Sequence, residues 1–271
     1  MIKKIKDLAF QGDISAIAAV LDSINESIWE SHSRELITDV ANPEEIILSD
    51  REYSSSPREF TPEELSTIEQ LSNLLNSRLD SLEDKDLLLI IQTPIINTVP
   101  FVKRLAEHNN PTGLFYYSWM LQGGYESQGV EPNSAEADIY LDRAVNSALE
   151  IADGFSVDNL QEEIEVFDYH IKGDTKYLDT IEKIITRLCR KKGLSGNLAD
   201  SCNMEIPIGP IMYMLAGGDC GGLYKGIIKR CTKQDGTLIL NTACVGISAG
   251  AFKGAFEIFF GQDVEIEMKK A

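Results

Sequence analysis

The spacing of apolar residues changes near residue 200, and that change constrains the fold more than any other feature of the chain. Before it, apolar side chains recur at three and four residues, as on a helix with one buried face. Ile5, Leu8 and Ala9 do so, and then Ile17, Val20, Leu21 and Ile24, which predicts helices over 1–48 with Asp13 as N-cap of the second. After a polar loop at 49–61, Thr61-Pro62-Glu63-Glu64 supplies an N-cap, a proline at the first helical position and acids in the first turn, opening a helix through Leu79. Further helices are expected over 84–107, 112–124, 134–152, 158–171 and 174–191. Residues 192–206, rich in Gly, Ser and Asn, read as a linker.

Beyond the linker, Ile211–Ala216 is a short continuous apolar run, as expected of a buried parallel strand. A glycine-rich loop follows, Gly217-Gly218-Asp219-Cys220-Gly221-Gly222, and then a predicted helix over Leu223–Lys233. Asp235-Gly236 turns the chain, Leu238–Val245 is extended, and Gly246-Ile247-Ser248-Ala249-Gly250 precedes a helix through Phe260. The fold class expected is therefore α+β overall. An acidic all-helical region over 1–205 precedes a truncated α/β segment over 206–271 with a short parallel sheet.

Charge divides at the same place. The formal net charge is −18, but residues 1–205 hold 37 acidic and 18 basic side chains while the last 66 residues hold six and seven. Such a surface repels nucleic acid, and no basic run exceeds Arg190-Lys191-Lys192, so no nucleic-acid partner is expected. No stretch has the length and polarity of a Sec signal or a membrane span. The five cysteines are odd in number and lack C-x-x-C spacing, which fits a reducing compartment and argues against zinc. These signs give a cytoplasmic expectation with no cofactor, export by a non-Sec route remaining open.

Gly246-x-Ser248-x-Gly250 fits two readings equally when taken alone: a nucleophile elbow, or a helix entry capped by serine. Its position between an apolar strand and an amphipathic helix suits the first. A hydrolase also needs amide donors for the oxyanion, and a glycine loop one crossover upstream, at Gly217–Gly222, supplies unobstructed backbone. The loop lacks both the G-x-G-x-x-G order of a dinucleotide site and the G-K-[ST] of a P-loop.

These residues resemble the opening of a patatin-like phospholipase, over roughly 206–261. The resemblance implies Ser248 as nucleophile on an elbow of Gly246 and Gly250, with Gly217, Gly218 and Gly221 as oxyanion hole. It also implies Gly226, Ile227 and Ile228 as the packing face of the first helix. The implied substrate is a lipid or another acyl ester, attacked by the serine to form an acyl-enzyme. Ala216 and Cys220 depart from that pattern, and no D-G-[GA] aspartate follows; Asp263 is the sole aspartate after the serine, and His32, His108 and His170 all lie in the helical front. The dyad base is therefore absent, and the chain is expected to be inactive or weak by itself. The open edge of so short a sheet exposes apolar surface, so the segment is expected either to be the opening of a longer ancestral enzyme now cut short or to pack on the helical front or on another chain. The alternative function is a catalytically silent helical protein binding a basic partner. Separately, Tyr116 to Ala148 resembles a single Sel1-like repeat, implying two antiparallel helices over about 112–149 that meet at small residues.

Overall fold

The structure, a computed structural model, describes residues 2–38, 59–93, 95–123, 128–152, 164–194, 204–217, 225–260 and 263–271. It divides into two compact units, Met1–Phe101 and Val102–Ala271. Residue 205, the expected boundary, lies inside the second unit.

The first unit holds α1 (Ile2–Phe10), α2 (Ile14–Thr38), α3 (Pro62–Ser77) and α4 (Asp84–Ile90). Its helices begin where local chemistry directs. Asp13 Oδ1 accepts from the Ala16 amide at 2.8 Å, capping α2. At α3, Thr61 Oγ1 accepts from the Glu64 amide at 3.2 Å and Glu64 Oε2 accepts from the Thr61 amide at 2.8 Å, a closed capping box. Ile17, Leu21, Leu71, Leu75 and Leu87 form the buried centre, and the Arg78 guanidinium donates to the Gly12 carbonyl.

The second unit begins within α5 (Val99–Glu107) and continues with α6 (Pro111–Gly123), α7 (Ser134–Ala152), β1 (Ile164–Gly173) and α8 (Thr175–Lys191). Then come β2 (Ile206–Pro207), α9 (Ile208–Ala216), β3 (Gly226–Gln234), β4 (Thr237–Val245), α10 (Gly246–Phe260) and β5 (Val264–Lys270). One sheet in the order β2-β3-β4-β1-β5 is antiparallel at every pairing. Phe167, Tyr169, Ile171, Leu238, Leu240, Cys244, Val264 and Ile266 are buried on one face of it, within the core that α8, α9 and α10 share. Asp168, His170, Lys172, Asn241, Glu265 and Glu267 alternate onto the opposite face.

The short parallel sheet and the all-helical front are thus corrected, and three local inversions account for it. First, the stretch read as a helix over 158–171 overlaps β1, where Phe167, Tyr169 and Ile171 alternate with Asp168 and His170 at a period of two. Second, Ile211–Ala216, read as a strand, belongs to α9; an apolar run this short carries no period, and this helix is buried on nearly all sides. Third, Leu223–Lys233, read as a helix, overlaps β3, so Gly226, Ile227 and Ile228 lie on a strand rather than a helix face. A register shift between Ile228 and Arg230 adds a residue to β3, so its apolar positions fall at helical spacing. The decisive local signal is Asp235-Gly236, with φ of 51° and 74°, which joins β3 to β4 as a two-residue hairpin. Such a turn requires antiparallel neighbours.

The helical hairpin expected over 112–149 is present as α6 and α7, joined by Ser118 Oγ donating to the Ala137 carbonyl at 2.7 Å. Arg187 of α8 clamps α7 through Asp138 at 2.8 Å and Asp142 at 2.6 Å. Asn110 Oδ1 caps α6 by accepting from the Thr112 and Gly113 amides at 3.0 and 3.3 Å. Gly113 sits where a Cβ would lie 2.2 Å from Leu105 Cβ and 2.8 Å from the Ala106 amide nitrogen. Alanine has the better helix propensity, but the overlap is with backbone as well as side chain, so the clash decides the sign. Gly113→Ala is expected to lower stability by about 1–3 kcal/mol, read as an earlier midpoint in urea unfolding of the full chain.

Candidate functional site

The strand-to-helix turn expected to carry the nucleophile exists: β4 ends at Val245 and α10 starts at Gly246 without an intervening loop. Its side chains face the other way from what an elbow needs. Ile247 is 64% exposed, whereas Ser248 is fully buried. Ser248 Oγ accepts from the Lys225 amide at 2.9 Å, so the hydroxyl ties the entry of β3 to the first turn of α10. Beside it, Tyr169 OH donates to the Ala249 carbonyl at 3.0 Å and its ring meets Phe252 edge-on at 5.0 Å. Burial raises the Tyr169 phenol far above its ordinary pKa, so it stays a neutral donor.

The other expected site residues have local roles. Gly217, with φ of 69°, ends α9 in the left-handed region, and its amide donates to the Tyr213 carbonyl at 3.1 Å. That amide is committed to the helix end rather than to an oxyanion. Gly218 and Gly221 lie outside the described residues. Gly246 and Gly250 are exposed on the first turn of α10, and a Cβ at Gly246 would come 3.4 Å from Glu165 Oε2. A carboxylate at that helix N-terminus is electrostatically favourable.

His170 alternates with Tyr169 on β1 and so faces away from the layer that holds Ser248, and Asp263 accepts a hydrogen bond from Tyr177 OH at 2.5 Å. His108 follows α5, and the side chain of His32 lies outside the described residues. Cys189, Cys231 and Cys244 are buried free thiols, while Cys202 and Cys220 fall outside the described residues. Burial pushes Cys231 up to about 12 and Cys244 up to about 11, so neither supplies a thiolate near neutrality. Among the described residues no group of His, Cys, Asp and Glu is placed to hold a metal ion. None of the described helices is long and apolar enough to cross a membrane.

A cleft of about 380 Å³ lies within the first unit, with Val20 and Ile24 on its floor and Lys6, Glu63 and Thr67 at its rim. Thr61 and Glu64 also line it, and both are engaged in the α3 cap.

Sequence reasoning passed over the sheet edge. The order Val264-Glu265-Ile266-Glu267-Met268-Lys269-Lys270 alternates apolar and charged residues, which is the signal of a half-buried strand. It forms β5, paired with β1 at seven positions from Gly173↔Val264 to Phe167↔Lys270. Val264 and Ile266 are buried; Glu265, Glu267, Lys269 and Lys270 are exposed, and Met268 is 37% exposed. Lys269 lies 3.0 Å from Glu267 and, by donating to it, holds that carboxyl below the ordinary range. Lys270 pairs with Glu165. Among the described residues no strand pairs with the second edge of β5.

No protein-family model matches this chain, and neither the curated proteins nor the solved structures contain a significant match. The patatin-like reading is overturned on this count and on architecture. That family builds its elbow on a parallel sheet, and here the sheet is antiparallel throughout. The lipid acyl hydrolase assignment falls with it, and the Sel1-like resemblance likewise gains no family match.

Ser248→Ala removes a buried acceptor and is expected to cost about 1–2 kcal/mol in urea unfolding. A fluorophosphonate probe should leave Ser248 unmodified in the native chain; stoichiometric labelling, located by mass spectrometry, would contradict its role as a buried latch. The thiols give a pH dependence. Their folded pKa values are raised above the ordinary 9, so their contribution to stability is intact below that value and is lost as pH rises through about 11–12. The melting temperature in reducing buffer should therefore fall over that range.

Proposed function

We propose that this protein works by assembly, with the β5 edge of its sheet receiving an extended strand from a protein partner. The observation that carries this reading is the contrast between the two sheet edges. β2 is only two residues long and ends in Pro207, and past it the edge consists of five residues of β3, Arg230–Gln234, where Lys233 is tied to Asp179 and Glu182 of α8; a short strand, a proline and edge lysines blunt an edge. β5 offers seven residues without proline, all paired with β1 and, among the described residues, with no second strand. An unpaired edge presents alternate N–H and C=O groups, and an added strand satisfies them while its side chains are read against the flanking faces. At β5 those faces differ: an apolar side with Ile266 and Met268, and a charged side with Glu265, Glu267 and Lys269.

The reading requires that the edge be vacant in the isolated chain. In residue-resolved amide exchange by NMR, at a concentration where the chain is monomeric, protection over 264–270 should alternate. Amides directed at β1 should exchange slowly and the intervening ones fast. Uniform protection of all seven in the monomer would overturn the proposal, because the edge would already be filled.

A further inference from the structure

Charge along β5 is segregated. Glu265 and Glu267 occupy its first half, Lys269 and Lys270 its second. A second strand laid parallel would set like charge beside like, whereas an antiparallel one with the same sequence sets acid against base. We propose that the strand received at this edge is β5 of a second copy of the chain, paired antiparallel about a twofold axis at Glu267. This rests on the reading of β5 as an acceptor edge.

The register follows from the pleat. An axis normal to the sheet keeps the helical layers of both copies on one side, so opposed residues share a face. With the axis at Glu267, Glu265 opposes Lys269 of the second copy twice on the charged face. On the apolar face Ile266 opposes Met268 twice, covering the partly exposed Met268 side chain. All seven residues of the strand are opposed, with Val264 and Lys270 facing each other at the two ends, and the two sheets join into one. The single like-charge contact is Glu267 with its own equivalent, and each of these already has Lys269 of its own chain at 3.0 Å. Moving the axis to Ile266 opposes Glu265 and Glu267 twice, acid against acid. Moving it to Met268 sets Glu265 opposite Ala271 and so leaves it without a base.

Sedimentation velocity of the full chain, over a concentration series at physiological salt, tests this. The wild type should pass from monomer to dimer as concentration rises. Glu265→Lys and Lys269→Glu should each raise the dissociation constant roughly tenfold or more. An equimolar mixture of the two variants should recover the dimer, since acid again opposes base at both positions; this recovery also shows that both variants fold. Glu267→Gln should tighten the dimer, whereas with an axis at Met268 it would weaken it. A wild type that stays monomeric throughout, a dimer indifferent to both charge reversals, or a mixture that fails to recover would each overturn the proposal. If the chain is monomeric and its outward β5 amides exchange freely, self-pairing fails while strand acceptance stands. If those amides are protected in the monomer, both fail.

Discussion

Antiparallel pairing of β1 with β4, Ile164–Ile171 against Leu238–Val245, is the constraint on which the second unit depends. It joins segments some seventy residues apart and, because side chains alternate, fixes which residues enter the core. A slip of one residue would turn Phe167, Tyr169 and Ile171 out and Asp168 and His170 in. The pairing also sets the places of the neighbours. β3 reaches β4 through a two-residue turn and has no other side on which to lie, and β5 takes the remaining edge of β1. Tyr169 then carries the register into the helical layer, through its hydroxyl on the Ala249 carbonyl and its ring on Phe252.

The Gly-x-Ser-x-Gly segment acquires its role from that arrangement. A nucleophile elbow works because a parallel strand delivers the serine to the carboxyl edge of a sheet, in front of a helix N-terminus and open to substrate. Here the strand before the turn lies between two antiparallel neighbours, and α10 folds back over the sheet with Ser248 on its inner side. The hydroxyl then meets the chain that enters β3, and the exposed position falls to Ile247. The same three small residues permit both geometries. What separates them is the direction of the neighbouring strands.

Local chemistry was therefore legible where a short stretch determines its own structure. The Thr61 cap with Pro62, the Asp13 cap, the α6–α7 hairpin and the span of α8 after Asp174 all lie close to their expected places, because each rests on hydrogen bonds within four residues or on one amphipathic face. The inversions fall where tertiary context decides. The residues of α9 are apolar all round, so no period distinguishes helix from strand, and the irregularity in β3 gives a strand the spacing of a helix. Two signals were nevertheless present. A D-G pair between apolar runs specifies a hairpin, and strict alternation over 167–171 and again over 264–268 specifies strands; together they describe an antiparallel sheet.

The net charge of −18 bears on association differently from the charges on β5. Nineteen acidic and eight basic side chains belong to residues 1–101, so most of the excess lies in the first unit. Repulsion between two such chains acts at long range and is screened beyond about 8 Å at physiological ionic strength. Opposed side chains across a strand pair lie within about 5–8 Å, where screening is weaker. Overall charge therefore governs how readily copies approach, and the order of charge along the edge governs what happens on contact. A uniformly basic edge would repel every identical strand in either direction. An edge acidic at one end and basic at the other rejects the parallel arrangement and favours the antiparallel one, which selects orientation without a large apolar surface.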